Sequence, residues 1–278
     1  MEIDIADAIK NGFGRTFEKT GLVLAGFYFM ASILQTVFAG SVTKTLASEF
    51  GAATATSSST SPLALSMPLF VSGPVLLVLS LASVVLTITA LRTLVDDYTE
   101  KIPKELYTRN MGWNVANIVV GGIAFALILA AAYLGPAVPG LLLIGAGASG
   151  IGLGAAGLVG TLLALIGTLA GVALGTYLMV ALYYWNVEVA VRDVSFTIGF
   201  RNSYEMTEGH RFRLFVLGLA VAIISALASS LGGVVSFAGE LAGISGLEVA
   251  GAIVSTLIGS FTGVFTLATL AQAYNQMN

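Results

Sequence analysis

The chain has no cysteine and only one histidine, His210, among its 278 residues. Without thiols it cannot form disulfides, thiolate nucleophiles or Cys-ligated zinc and iron–sulfur sites. A single His argues against a histidine-based metal site and against a Ser-His-Asp triad. We therefore expect no metal, no cofactor and no enzymatic activity.

Charge is also scarce. Charged residues make up 10% of the chain and hydrophobic residues 56%, whereas a soluble domain carries about 25% charged residues. The mean hydropathy is +0.93. The net charge of −3 provides no basic surface for nucleic acid. This composition, together with apolar runs of about 20 residues, is typical of a multi-pass membrane protein.

The apolar runs are expected to be helices, because backbone amides cannot stay unpaired in hydrocarbon. We predict an all-α fold in which residues 1–278 form a single integral membrane domain. Its six transmembrane helices would be arranged as three hairpins. The predicted spans are residues 21–40, 71–91, 113–134, 158–185, 212–235 and 249–274. The aromatic run Tyr183-Tyr184-Trp185 would form an interfacial belt at the end of the fourth span.

The distribution of bases predicts the orientation. All Lys and Arg residues except Lys44 lie before the first span, in residues 92–109 or in residues 188–213. Basic loops stay in the cytoplasm, so an even number of spans must join the two basic loops. The prediction is a cell-membrane protein with both termini in the cytoplasm.

A glycine-rich stretch, residues 141–157, contains the pattern G-x-G-x-x-G twice. A dinucleotide-binding fingerprint also needs a preceding strand, a following helix and an acid about 20 residues later. No Asp or Glu occurs between Glu105 and Glu188. We interpret residues 136–157 instead as a surface or re-entrant connector that follows a break at Pro136 and Pro139.

Small residues also recur at every fourth position, in Gly167-x3-Gly171-x3-Gly175 and in Gly259-x3-Gly263. This spacing lets helices approach each other closely. Two interpretations stay open, namely packing within one chain and a homodimer interface.

An internal repeat links GFGRTFEKT at residues 12–20 with GFRNSYEMT at residues 199–207. The apolar residues around both segments recur every four positions and the opposite face is charged, which predicts amphipathic helices at the membrane surface. A cytoplasmic interfacial helix would precede each hairpin, at residues 4–19, 102–111 and 194–207. Gly21 and Gly209 are the predicted helix stops.

The segment VEVAVRDVSFTIGFRNSYEMTEGHRFRLFVLGL, with LAQAYNQM near the C-terminus and RTFEKTGLVL near the N-terminus, carries a family resemblance. It resembles the membrane domain attached to some glycerophosphodiester phosphodiesterases and the related six-helix membrane proteins of haloarchaea. The matching element is Arg201, Ser203 and Tyr204, followed by His210, Arg211 and Arg213. The resemblance implies a six-helix archaeal membrane protein and implies no activity.

No Asp or Glu lies inside a predicted span, and Arg213, in the first turn of the fifth, is the one base, which counts against a transporter built on buried carboxylates. The leading hypothesis is a non-enzymatic membrane protein that organises lipid or an unidentified protein partner at the cytoplasmic leaflet. Five bases are the predicted contacts for lipid phosphates: Arg15, Arg109, Arg201, Arg211 and Arg213. The alternatives are a permease for an uncharged or amphiphilic solute and a lipid-modifying enzyme that uses Glu188, Arg201 and His210.

Overall fold

The computed structural model describes residues 3–49, 63, 65, 67–148, 155–242 and 245–278. Within these residues every regular element is a helix, as the composition predicts. The chain divides into two compact units, residues 1–115 with 216–278 and residues 116–215. The elements are α1 Ile5–Phe17, α2 Lys19–Glu49, α3 Leu69–Val95, α4 Lys104–Thr108, α5 Met111–Leu134, a 3-10 turn Gly135–Ala137, α6 Val138–Ala148, α7 Ala155–Ala181, α8 Trp185–Arg192, α9 Phe196–Met206, α10 Arg211–Ala242 and α11 Ser245–Met277.

Six stretches of the described chain are long and apolar enough to cross a membrane, which confirms the predicted number. They are Lys19–Leu46, Leu69–Val95, Met111–Gly145, Leu158–Arg192, Arg211–Val235 and Gly246–Met277. Most extend beyond the predicted spans because the helices continue past their purely apolar segments.

In the first unit, α2 and α3 run antiparallel and are joined by polar side chains along their length. The Thr20 hydroxyl donates to the Tyr98 carbonyl (2.9 Å), and Gln35 Nε2 donates to Ser83 Oγ (2.7 Å). Toward the far ends, the Thr45 hydroxyl donates to the Met67 carbonyl (2.9 Å). Such bonds hold helices together where the hydrophobic effect cannot, since lipid is as apolar as the side chains it contacts.

Helix α11 packs against α1, α2 and α3, and the core of the first unit lies among them. Its buried members are small or aliphatic: Leu24, Ala25, Ala90, Leu94, Val264, Ala268 and Ala271. Helix α1 begins at an N-cap in which Asp4 accepts a bond from the Asp7 amide (3.0 Å).

The prediction that Gly21 ends the first helix is wrong. Helix α1 ends at Phe17, and Gly21 lies in the first turn of α2. A Cβ at this position would lie 2.2 Å from the Arg15 carbonyl oxygen. Glycine is required here because the chain folds back tightly between the two helices. Gly209, by contrast, has a φ of +83° in the turn after α9 and agrees with the predicted stop.

In the second unit, the predicted break at Pro136 and Pro139 is only a 3-10 turn. Helix α6 follows it directly and packs along α7, so residues 138–148 are helical rather than a connector. Residues 149–154 lie outside the described part. A Cβ on Gly140 would lie 2.1 Å from the Ala164 amide nitrogen, so the glycine allows α6 and α7 to touch backbone to backbone.

The interfacial helix predicted at 102–111 is wrong in extent. Helix α4 has five residues, and α5 begins after Asn110, whose φ of +47° is left-handed. The helices predicted at 4–19 and 194–207 correspond closely to α1 and α9. The aromatic belt is also misassigned, because Tyr184 and Trp185 are buried.

Candidate functional site

The predicted phosphate contacts are basic residues near the ends of the long helices, and the structure gives them different surroundings. Arg15 lies on the buried face of α1, and its side chain is only 8% exposed. Its guanidinium forms ion pairs with Glu18 and with Asp97, which follows α3. Arg15 therefore joins two segments of the first unit, and its engagement by two carboxylates does not favour the predicted phosphate contact.

Arg92 belongs to the first basic loop in the sequence, but in the structure its side chain has a structural role. It is buried in the last turn of α3 and donates to the carbonyls of Leu106 (2.8 Å) and Arg109 (2.9 Å). These bonds fold the segment around α4 back against the end of α3. The available signal was a base in the last turn of a helix, where a cation is favoured by the helix dipole.

The other predicted bases differ in exposure. Arg109 is exposed, and Arg213 is half-buried at the start of α10. Arg201 is exposed and pairs with Glu205 at 2.8 Å within α9. The hydrogen bond and the charge of Glu205 raise the pKa of Arg201. Among these three bases, Arg109 and Arg201 are therefore the exposed ones.

Arg211 is held in the second unit by two tyrosines. Its guanidinium carbon lies 4.8 Å from the ring centre of Tyr177 and 4.3 Å from that of Tyr204. It also donates to the Tyr177 hydroxyl and to the Tyr204 carbonyl (3.2 Å). The hydrogen bond from Tyr177 and the neighbouring Arg211 charge lower the pKa of Tyr204. Arg211, the first residue of α10, thus links α7 and α9.

Glu188, which belongs to the lipid-modifying alternative, is buried in α8 and pairs with Arg192 (3.5 Å). Its other oxygen accepts a bond from Asn202 Nδ2 at 2.8 Å. His210 Nδ1 lies 3.2 Å from the Glu208 carbonyl oxygen. The bond between Glu188 and Asn202 holds α8 against α9, which gives Glu188 a structural role.

Two hydroxyls to which the sequence alone assigns no role hold the junction between α7 and α8. Ser203 and Thr207 both donate to the Ala181 carbonyl (3.1 Å each), and Ser203 accepts a bond from the Tyr184 amide (3.1 Å). In the repeat alignment these residues correspond to Thr16 and Thr20, and all four are buried. The repeat was the available signal, because it aligned the hydroxyls at these positions.

A groove runs between α2 and α3, with a volume of about 850 Å³. Val23 and Phe27 form its α2 wall, and Ala82, Val85 and Leu86 form its α3 wall. Lys19, Glu100 and Lys101 lie at one end, which we call the mouth, and Ile102 and Tyr107 cover it from the α4 side. We refer to this feature as the α2–α3 groove. It combines an apolar slot with charged groups at a helix end.

The small-residue face of α7 is occupied within the second unit. A Cβ on Gly167 would lie 2.1 Å from the Pro136 carbonyl oxygen, and one on Gly171 would lie 2.2 Å from that of Tyr133. These contacts favour packing within the chain for this motif. Among the described residues, no atom outside their own stretch of helix lies within 4 Å of a Cβ built on Gly259 or Gly263, so this second motif stays a prediction for a homodimer interface.

Together, the six long apolar helices define an all-helical, multi-pass membrane protein. The chain belongs to the family described as Domain of unknown function (DUF7847), which it matches over residues 3–277. No curated protein and no solved structure shows a significant match to the chain.

Proposed function

We propose that the chain is a non-enzymatic protein of the cell membrane that organises lipid or protein partners at the cytoplasmic leaflet. Both termini and the two basic loops lie on the cytoplasmic side in this proposal, and the six spans form three hairpins. We also propose that the chain is related to the six-helix membrane proteins of haloarchaea.

The observation that carries the proposal is the character of α1 and α9, which are too short to span a bilayer. Phe13 and Phe17 on α1 are more than half exposed, and Ile198 and Tyr204 on α9 are about two-fifths exposed or more. Charged residues occupy the same helices. A helix with exposed apolar and charged groups is stable at the boundary between headgroups and hydrocarbon.

Packing within each unit supports the hairpin arrangement. Helices α2 and α3 are bonded along their length, and α6 packs on α7. In the third pair, a Cβ on Gly232 of α10 would lie 2.5 Å from the Ser255 Cβ of α11. Each contact joins helices that are consecutive spans.

The test is to extract the protein in polymer nanodiscs and compare its lipids with the bulk membrane. We expect enrichment of anionic phospholipid, since each base near an anionic surface contributes about 1 kcal/mol. Replacing Arg109, Arg201 and Arg213 with Gln should reduce the enrichment. Lys44→Gln is the control, because Lys44 is the one base predicted on the opposite side. A bulk composition with no bound partner would contradict the proposal.

A permease for an uncharged or amphiphilic solute is the alternative. Uptake of such a solute by proteoliposomes that contain the protein would favour it.

A further inference from the structure

We propose that the α2–α3 groove binds one anionic phospholipid, with an acyl chain along the slot and the phosphate between Lys19 and Lys101. This proposal rests on the proposed function for its cytoplasmic placement, and it names the lipid class and the site.

The dimensions of the groove suit a hydrocarbon chain. On α2 its wall extends from Lys19 to Phe27, which is about 12 Å at about 1.5 Å per residue. On α3 it extends from Thr89 back to Ala82, about 10 Å by the same rise. Because α2 and α3 are antiparallel, the charged groups all lie at one end. The slot therefore leads from a helix end into the hydrocarbon region.

The residues that line the mouth carry one net positive charge. Within the part of the chain that the structure describes, neither Lys19 nor Lys101 forms an ion pair with a carboxylate, and both side chains are exposed. Arg15 and Arg92 nearby are engaged by protein groups. Glu100 also lies at the mouth, which leaves two cations against one anion. This balance favours an anionic headgroup over a zwitterionic one.

The walls of the slot favour lipid over a protein segment. Val23 and Phe27 are 44% and 56% exposed, so the slot opens along the sides of two spans where hydrocarbon surrounds the protein. The deeper part of the slot is lined by Leu24 of α2 and by Leu86 of the α3 wall, and both side chains pack in the core of the unit. A flexible acyl chain can follow such a slot without ordering a second backbone.

The test is native mass spectrometry of protein released from nanodiscs of phosphatidylglycerol and phosphatidylcholine in equal amounts. We expect wild type to retain one phosphatidylglycerol. Retention should fall about thirtyfold in the Lys19→Gln/Lys101→Gln variant, because two lysine contacts with an anionic lipid contribute about 1 kcal/mol each. Glu100→Gln should increase retention. Lys104→Gln is the matched control, because Lys104 is exposed near the mouth but does not line the groove.

A second pair of variants tests the slot itself. Ala82→Phe fills the α3 wall and should abolish retention, whereas Val78→Phe, at a position 62% exposed and outside the groove, should not. If Ala82→Phe does not fold, the lysine variant decides, since its two residues are exposed. Equal retention of phosphatidylglycerol by wild type and the lysine variant, or equal retention of phosphatidylcholine, would overturn the proposal.

Membrane sidedness separates this proposal from the proposed function. A cysteine at Thr99, beside the mouth, reports which side of the membrane the mouth faces. Labelling from outside the cell would contradict the cytoplasmic placement but leave lysine-dependent lipid retention intact. Lysine-independent retention with cytoplasmic labelling would remove only the groove proposal.

Discussion

Gly12 and Gly14 lie two residues apart in α1 and have opposite surroundings. A Cβ on Gly12 would lie 2.2 Å from Thr269 Oγ1 and 2.8 Å from the Thr269 backbone nitrogen, whereas one on Gly14 would have no atom within 4 Å. Gly12 is therefore the point at which α1 approaches the backbone of α11. Gly14 makes no such contact.

The first prediction compares alanine at these two positions. Gly12→Ala should lower stability by about 2 kcal/mol, because added volume at a close contact moves the backbone. Gly14→Ala should raise it by about 0.5–1 kcal/mol through helix propensity. The measurement is the midpoint of thermal unfolding in one detergent. Equal effects of the two substitutions would show that α1 does not contact α11 at Gly12.

Arg15 leads to a prediction about a buried charge with two exposed partners. Neutralising both acids, in Asp97→Asn/Glu18→Gln, leaves the guanidinium buried without a counter-charge and should cost about 2 kcal/mol. Each single substitution should cost less than half as much, because the other acid remains. Asn is chosen because it tolerates the left-handed φ of +63° at Asp97.

The control for this charge effect is the triple variant that adds Arg15→Met. It should recover much of the lost stability, because a buried apolar side chain needs no partner. Thermal unfolding of the wild type, the two single variants, the double and the triple in the same detergent gives the comparison. A triple variant less stable than the double would mean that Arg15 acts through more than its two ion pairs.

At the scale of elements, the junction between α7 and α8 depends on α9. We predict that Ser203→Ala lowers stability by about 1–2 kcal/mol, because the Tyr184 amide loses its acceptor in a buried position. Hydrogen exchange of residues 182–187 should accelerate. Thr197→Ala, at an exposed position of the same helix, is the control. Unchanged exchange in Ser203→Ala would exclude α9 as the support of this junction.

Local patterns predicted some elements well. Helices α1 and α9 follow from apolar residues every four positions and from charge on the opposite face, so their predicted bounds differ from the structure by two residues or fewer. The long apolar helices follow from composition alone. Each of these signals lies within the element it predicts, which is why the sequence was sufficient.

Other elements depend on residues far away in the chain. Helix α4 is short because Arg92 binds the carbonyls of Leu106 and Arg109, and no pattern in residues 102–111 reveals that contact. Helix α6 lies where the break at Pro136 and Pro139 and the glycine-rich stretch after it predict a connector. The segment is nevertheless helical, and Gly140 is needed in it because α7 packs against the backbone at that position. The α2–α3 groove was not predictable for the same reason, since its walls belong to two helices.

At the scale of the whole molecule, the proposed orientation rests on the charge bias of the loops. The bases in residues 92–109 and 188–213 have different local roles, as Arg92 and Arg211 show. Sidedness depends on charge near the span ends rather than on the final contacts of each base. The charge bias of the loops therefore still predicts the orientation where a base forms contacts within the protein.

The absence of cysteine makes this orientation directly testable. Single cysteines at Thr99, Glu208 and Ser58, the last outside the described residues, would be treated with a membrane-impermeant maleimide. We expect Thr99→Cys and Glu208→Cys to react only in inside-out vesicles, because two spans separate their loops and both loops face the cytoplasm in the proposal. We expect Ser58→Cys to react only in intact cells, because one span separates its loop from the loop that contains Thr99. The cysteine-free parent supplies the background. Labelling of Thr99→Cys and Glu208→Cys from opposite sides would require an odd number of crossings between them, which six spans arranged as three hairpins cannot provide.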